Sequence, residues 1–258
     1  MAEIGPVRPS AALRDAYEAR MIRPIERMTR DVEREIARGY KANTPELAVY
    51  AQDESPARAL SRIVDKLSRK WAAEFDELSP RLAAYFATAA KDRVDRTLKA
   101  DMRKAGLTVK FKATKAMNDA YQAVFLENVG LIKSIPDRYM DQVKTLTMQS
   151  VSRGGDLGSL AKGLQDQAGV TKRRAALIAR DQCAKATAVM TRTRYLGLGI
   201  TEAIWLHSAG GKVPRPPHVS FSGKRYSLAK GHDFDDGLGP VHPGEAINCR
   251  CVMKAVIL

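Results

Sequence analysis

A chain of 258 residues with 45% hydrophobic content is long enough for one large domain or two, and it can bury a real core. Its net charge of +14, with an isoelectric point of about 9.8, argues for a polyanionic partner, nucleic acid before others. Three cysteines exclude a disulfide framework, no apolar run nears the ~18 residues of a membrane span, and no signal peptide is visible, so the expectation is a soluble protein made in a reducing cytosol.

Residues 10–150 read as helical nearly throughout. Ser10 is placed to cap a first helix running to about Gly39, with Leu13, Tyr17, Met21 and Ile25 four apart; Pro24 is expected to kink or break it. Ser55-Pro56 is a cap followed by a first-turn proline, and it opens a stretch carrying Leu60, Ile63, Val64, Leu67, Trp71, Phe75 and Leu78. Ser79-Pro80 is expected to restart the pattern, with Leu82, Tyr85, Phe86, Val94 and Leu98, and Gly106 to end it. A third stretch, about 114–150, carries Met117, Tyr121, Val124, Phe125, Val129 and Ile132, interrupted by Pro136. A helical bundle or an extended arm over residues 1–150 is the expected arrangement. No histidine occurs before His207, so this part holds no catalytic constellation.

The segment SRGGDLGSL, 152–160, reads as a break before a second part, 151–258. Thr171 is the expected cap of one more helix, closed by Gly197 or Gly199, with Leu177, Ala184, Ala188 and Tyr195 forming a small-residue face. Lys172, Arg173, Arg174, Lys185, Arg192 and Arg194 make this helix the candidate surface for DNA phosphates. The alternative is a helix face whose basic side chains pair with neighbouring carboxylates. After Gly199 the texture changes to a strand at 201–208, a loop at 210–218, a short strand at 223–228, a long loop and a final strand at 247–257. The fold class is therefore α+β: a helical N-terminal portion and a small C-terminal domain with a short antiparallel sheet and Gly/Pro loops.

All four histidines fall in this last region, beside two of the three cysteines. Cys249 and Cys251, two apart on a strand, project to one face, so both sulfurs reach one metal ion. His218 is the candidate third ligand, with His232, His242 or Asp233 as further donors and zinc as the fitting ion. A redox pair, a pairing with Cys183, a Cys/His nucleophile oriented by Asp233, and plain structural thiols are the competing readings. PRPPH, 214–218, reads as a stiff loop that fixes Arg215 and His218, with Arg215 either bracing the loop or clamping an anion. Trp205 reads as core, and Arg180 and Gln182 as polar struts towards the loops.

The ordered set ARDQ (179–182), Gly199-Ile200, Trp205, RPPH (215–218), SGKRYS (222–227) and PGEAINCRC (243–251) resembles the C-terminal domain of the phage Mu F-like family, the phage head morphogenesis or minor capsid proteins. The resemblance covers about residues 150–257. It implies a minor head protein of a double-stranded DNA bacteriophage, acting in head morphogenesis. It further implies association with the portal, contact with capsid or scaffold proteins and DNA, and a place in the virion, in the capsid interior near the portal, after synthesis in the host cytoplasm. The residues matched are Arg180, Gln182, Trp205, Arg215, His218, Cys249, Arg250 and Cys251. The family brings no catalytic activity to them, so the expectation is a protein that is not an enzyme. The alternative is a zinc-dependent or Cys/His-based enzyme or effector domain carried in the phage head. The loop GGKVPRPPH departs from the family pattern: glycines stand where an acid is expected, and Pro214 replaces the residue before the arginine.

Overall fold

A computed structural model describes residues 4–42, 55–153, 156–209, 213–237 and 239–257. Four long helices come first: α1 (Ala11–Ala42), α2 (Pro56–Lys104), α3 (Lys115–Ser152) and α4 (Leu157–Gly197). Strand β1 (Glu202–Leu206), the short helix α5 (Pro216–Ser220) and strands β2 (Arg225–Ser227) and β3 (Val252–Ala255) follow. The class is α+β.

The helix starts follow local side-chain chemistry. The hydroxyls of Ser10, Ser55 and Thr114 accept the backbone N–H of Leu13, Arg58 and Met117, at 3.2, 3.4 and 3.2 Å. Two helix ends share one geometry. Gly106 (φ +78°) and Gly199 (φ +79°) turn the chain. Leu107 N–H then bonds Met102 O and Gly106 N–H bonds Arg103 O; Ile200 N–H bonds Tyr195 O and Gly199 N–H bonds Leu196 O. This is the paired closure that glycine makes possible after a helix.

None of the three internal prolines ends a helix, contrary to expectation. Pro24, Pro80 and Pro136 lie inside α1, α2 and α3. A proline costs an interior helix ~3 kcal/mol, through a lost bond and a ring clash. Along α1 the buried face Tyr17, Met21, Ile25, Met28, Val32 and Ile36 continues through the proline without a gap. Each such side chain contributes about 1.5–3 kcal/mol on burial, so the packed stripe outweighs one lost bond. In α2 the carbonyl left without a donor by Pro80 is that of Asp76, and the Ser79 hydroxyl donates to it at 3.5 Å.

Of the break expected at 152–160, residues 157–160 are already helical, and 154 and 155 lie outside the described residues. Helix α4 starts at Leu157, where Asp156 accepts the Gly158 N–H at 2.8 Å and a bond from the Ser159 hydroxyl. Thr171 is therefore interior and not a cap, with its hydroxyl bonded to Gln167 O at 2.9 Å. Of the expected small-residue face, Ala184, Ala188 and Tyr195 are buried, but Leu177 is exposed.

The contacts gather into two compact units, each discontinuous in sequence: one of Met1–Asp15, Ala83–Glu127 and Ala179–Leu258, the other of Ala16–Leu82 and Asn128–Ile178. The second unit has a core built on Tyr17, Met21, Ile25, Trp71, Phe75, Ile132 and Tyr139. Inside it the Tyr17 hydroxyl donates to Asn128 Oδ1 at 2.8 Å, and Asp31 accepts from Trp71 Nε1 at 3.0 Å and Lys70 at 2.7 Å. The first unit buries Phe86, Val94, Leu98, Met190, Tyr195 and Trp205 and contains the sheet. Strand order is β2-β1-β3, antiparallel throughout, with Ala203 opposite Tyr226 and Ala255, and Trp205 opposite Met253. Ala203 and Trp205, two apart on the central strand, are both fully buried, as the period of a half-buried strand requires.

Two local expectations change here. RPPH is not a stiff loop: Pro216 and Pro217 occupy the first turn of α5, where a missing N–H costs nothing, and His218 follows on that helix. The final strand is only Val252–Ala255, so Cys249 and Cys251 precede it in irregular chain.

Candidate functional site

Trp205 on β1 is the hub of the C-terminal region. Its indole meets the rings of His218, Phe221, Tyr226 and Phe234 edge-on, at centroid distances of 5.1, 5.9, 5.7 and 5.2 Å. His218 is stacked on Phe234 at 4.6 Å. The imidazole is thereby clamped by two aromatic surfaces, and its Nδ1 is left facing two sulfurs. Cys249 Sγ lies 3.5 Å and Cys251 Sγ 3.7 Å from that atom. All three residues are buried, and their donor atoms lie within 4.8 Å of one another.

The approach of both cysteines does not come from strand alternation. Asn248, at φ +61°, reverses the chain just before them. That turn is held from α4, where Asp181 accepts the Asn248 N–H at 2.7 Å and Arg180 donates to its Oδ1 at 3.4 Å. Gly244, at φ +84°, lies so close to α4 that a Cβ there would sit 3.1 Å from Ala188 Cβ and 3.3 Å from Ala184 O and Cys251 O. Its N–H points at Cys249 Sγ at 3.4 Å.

The electrostatics divide the two thiols. The hydrogen bond from Cys251, followed by the backbone N–H groups of Cys251 and Gly244 and the nearby His218, draws Cys249 towards the thiolate in spite of its burial. The same pairing, with burial, pushes Cys251 up, although the Trp205 indole and Ser208 N–H favour its charged form. The mutual hydrogen bond thus favours charge on Cys249 over charge on Cys251. Cys183 stands apart: it donates to Ser10 O at 3.4 Å, and burial raises its thiol.

The remaining predicted donors do not join the cluster. His232 is stacked on Phe221 at 3.6 Å. His242 is buried against Tyr226, with Nδ1 unpartnered among the described residues, and burial with the Arg192 charge lowers its pKa to about 4. Asp233 is exposed and accepts the Asp235 N–H in its own turn at 2.9 Å, so it does not orient His218. Arg215 braces the site, as Nη2 donates to Ile247 O at 3.0 Å. Arg250, between the cysteines, is exposed. Gln182 does not reach the loops; it donates to Glu127 on α3 at 3.1 Å.

Five of the six basic side chains proposed for DNA are held by the protein itself. Lys172 pairs with Glu26 at 2.8 Å, Lys185 with Glu127 at 2.7 Å and Arg192 with Glu245 at 3.2 Å. Arg174 donates to Ser134 O and Oγ at 3.2 and 2.9 Å. Arg194 grips Asp95 with two 2.7 Å bonds, reaches Lys112 O at 2.9 Å and lies over the Phe111 ring at 4.7 Å. Arg173 alone of the six is exposed and has no such bond among the described residues.

Sequence reasoning did not single out Phe234, Asn248 or Gly244 as site builders. The signal for Gly244 was present in its Pro-Gly pair; nothing local marks Phe234 as the stacking partner of a histidine sixteen residues earlier.

Comparison with known proteins finds a similarity over the part of the chain that holds this cluster. Residues 141–254, which include every member of the cluster, match the family model described as Phage Mu protein F like protein. A protein of Haemophilus influenzae (strain ATCC 51907 / DSM 11121 / KW20 / Rd), itself described only as an uncharacterized protein, is 26% identical over 260 residues, which is 98% of this chain. The chain spans 55% of that relative's length. No solved structure matches. Over residues 141–254, then, the chain matches the Phage Mu protein F like family, and that match suggests a bacteriophage protein of head morphogenesis with a place in the virion.

Proposed function

We propose that this protein is a minor head protein of a double-stranded DNA phage, structural and not catalytic, that acts beside the portal during head assembly. The observation that carries the reading is the family match over 141–254, which spans the Trp205 hub and the His218/Cys249/Cys251 cluster together. The part of the cluster in this reading is to tie α5 to the chain that leads into β3. Portal protein and capsid or scaffold proteins are the partners in this reading. DNA contact rests on the net charge of +14 and not on the α4 basic residues, most of which have partners in the chain.

The test is co-expression with the portal protein of the same phage, followed by affinity capture, together with mass spectrometry of purified heads. Retention on the portal and presence in heads support the reading; absence from heads and normal assembly without the protein overturn it. For the DNA part, anisotropy titrations with duplex DNA are expected to show affinity that falls steeply with salt. No binding at low salt removes DNA from the account.

A further inference from the structure

We propose that His218 Nδ1, Cys249 Sγ and Cys251 Sγ bind one zinc ion whose fourth coordination position opens into an adjoining cavity and takes water or a small anion. This inference does not depend on the head-protein reading.

Geometry is the first ground. Zinc bonds of ~2.3 Å to sulfur and ~2.0–2.1 Å to nitrogen, at the tetrahedral angle, put ligand sulfur and nitrogen about 3.6 Å apart. The two Sγ–Nδ1 separations are 3.5 and 3.7 Å. Hydrogen bonding accounts for this arrangement less well: one ring N–H reaches both sulfurs only as a shared, weakened bond. A metal ion between the three atoms bonds each of them directly.

The second ground is the surroundings of the sulfurs. The backbone N–H of Gly244 points at Cys249 Sγ at 3.4 Å. Such donors stabilise thiolate, the form that binds metal, and they hold ligands in place around an ion. His218 is oriented independently by Phe234 and Trp205. Two thiolates and an imidazole are a borderline-soft set, which suits zinc and not magnesium or calcium.

The third ground fixes the open position. The three ligands line a cavity of about 320 Å³ together with His207, Pro214, Arg215 and Asn248. His207 does not close the coordination shell in this arrangement, since its Nδ1 accepts the Ala209 N–H at 3.2 Å and Nε2 then carries the proton. Arg215 is one of the residues lining the cavity, with Nη2 bonded to Ile247 O. A guanidinium in the lining favours an anionic occupant such as a carboxylate or phosphate oxygen. Zinc binding joins α5 to the chain leading into β3, with release of the thiol protons that remain.

The experiment uses the full chain, purified under reducing conditions without chelators or a polyhistidine tag, and measures zinc per folded chain. One zinc per chain is expected in the wild type and in Cys183→Ser, with loss of the metal in Cys249→Ser, Cys251→Ser and His218→Ala. Folding of each variant is checked by the α-helical circular dichroism of α1–α4. Folded wild type that stays zinc-free after incubation with zinc overturns the site, as does full zinc content in Cys249→Ser. Cobalt substitution then reads the fourth position. Intense tetrahedral absorption with a sulfur-to-metal band is expected, and azide is expected to shift it, less so in Arg215→Met. A cobalt spectrum that saturating azide leaves unchanged overturns the open position.

Discussion

Along α1 six buried apolar side chains repeat one chemical idea, and the helix survives a proline in their midst. Among the described residues between 201 and 257 no apolar stripe of that length exists. Three strands of three to five residues depend on one tryptophan, one histidine, two cysteines and a few turns with left-handed backbone. The helical part is stabilised by many interchangeable contacts, each small against the whole. The C-terminal part is stabilised by few contacts that do not replace one another, and so its positions are dictated more by chemistry than by size.

The sharpest way to break this contrast is to truncate the hub. Trp205→Ala is expected to cost about 4 kcal/mol in denaturant unfolding, at the upper end for core deletions, because four ring contacts go with it. Leu67→Ala on α2, also buried, is expected to cost about 2–3 kcal/mol. Equal costs would mean that the tryptophan is ordinary core.

Next in size is the ion pair of Arg194 and Asp95, with side-chain exposures of only 9% and 15%. Asp95→Ala strands a buried guanidinium and is expected to cost about 3 kcal/mol, whereas replacing both partners by apolar residues recovers most of that loss. A small effect of the single change would show that water reaches the pair.

His242 gives a smaller, pH-dependent effect. Its folded pKa, about 4, lies below the ordinary value of 6.5 because burial and Arg192 disfavour the charged ring. Between those values the unfolded chain binds more protons, so stability is fully present above about pH 6.5 and is lost as pH falls through 4. Unfolding titrations of wild type against His242→Gln are expected to differ by up to about 3 kcal/mol in their change from pH 7 to pH 4. Parallel curves would remove His242 from the account. At the bottom of the scale, Lys144→Ala, which removes the exposed pair with Asp65, is expected to change stability by less than about 0.5 kcal/mol.

Much of the local punctuation was legible in the sequence. Ser10, Ser55, Gly106 and Gly199 act where their chemistry places them, because caps and left-handed turns are decided within a few residues. The helices run on through Pro24, Pro80 and Pro136 for the opposite reason: a ~3 kcal/mol local cost is outvoted by a packing face, or by a neighbouring serine, that propensity does not contain. The residues of the cluster were legible as residue types, but not the geometry that unites them. Cys249 and Cys251 converge through the Asn248 turn and its grip by Asp181, not through strand alternation. The basic helix shows the same limit, since Glu26, Asp95, Glu127 and Glu245 reach it from far along the chain.

The central claim is that the proposed metal-binding cluster holds α5 and the chain leading into β3, while the buried stretches of α1 and α2 do not depend on it. Amide hydrogen exchange, measured peptide by peptide at neutral pH with and without a strong zinc chelator, tests it most directly. The account predicts that protection in Pro216–Ser220 and Val252–Ala255 falls when the chelator is added, while the buried stretches of α1 and α2 exchange as before. Protection in those two segments that the chelator leaves unchanged would contradict it.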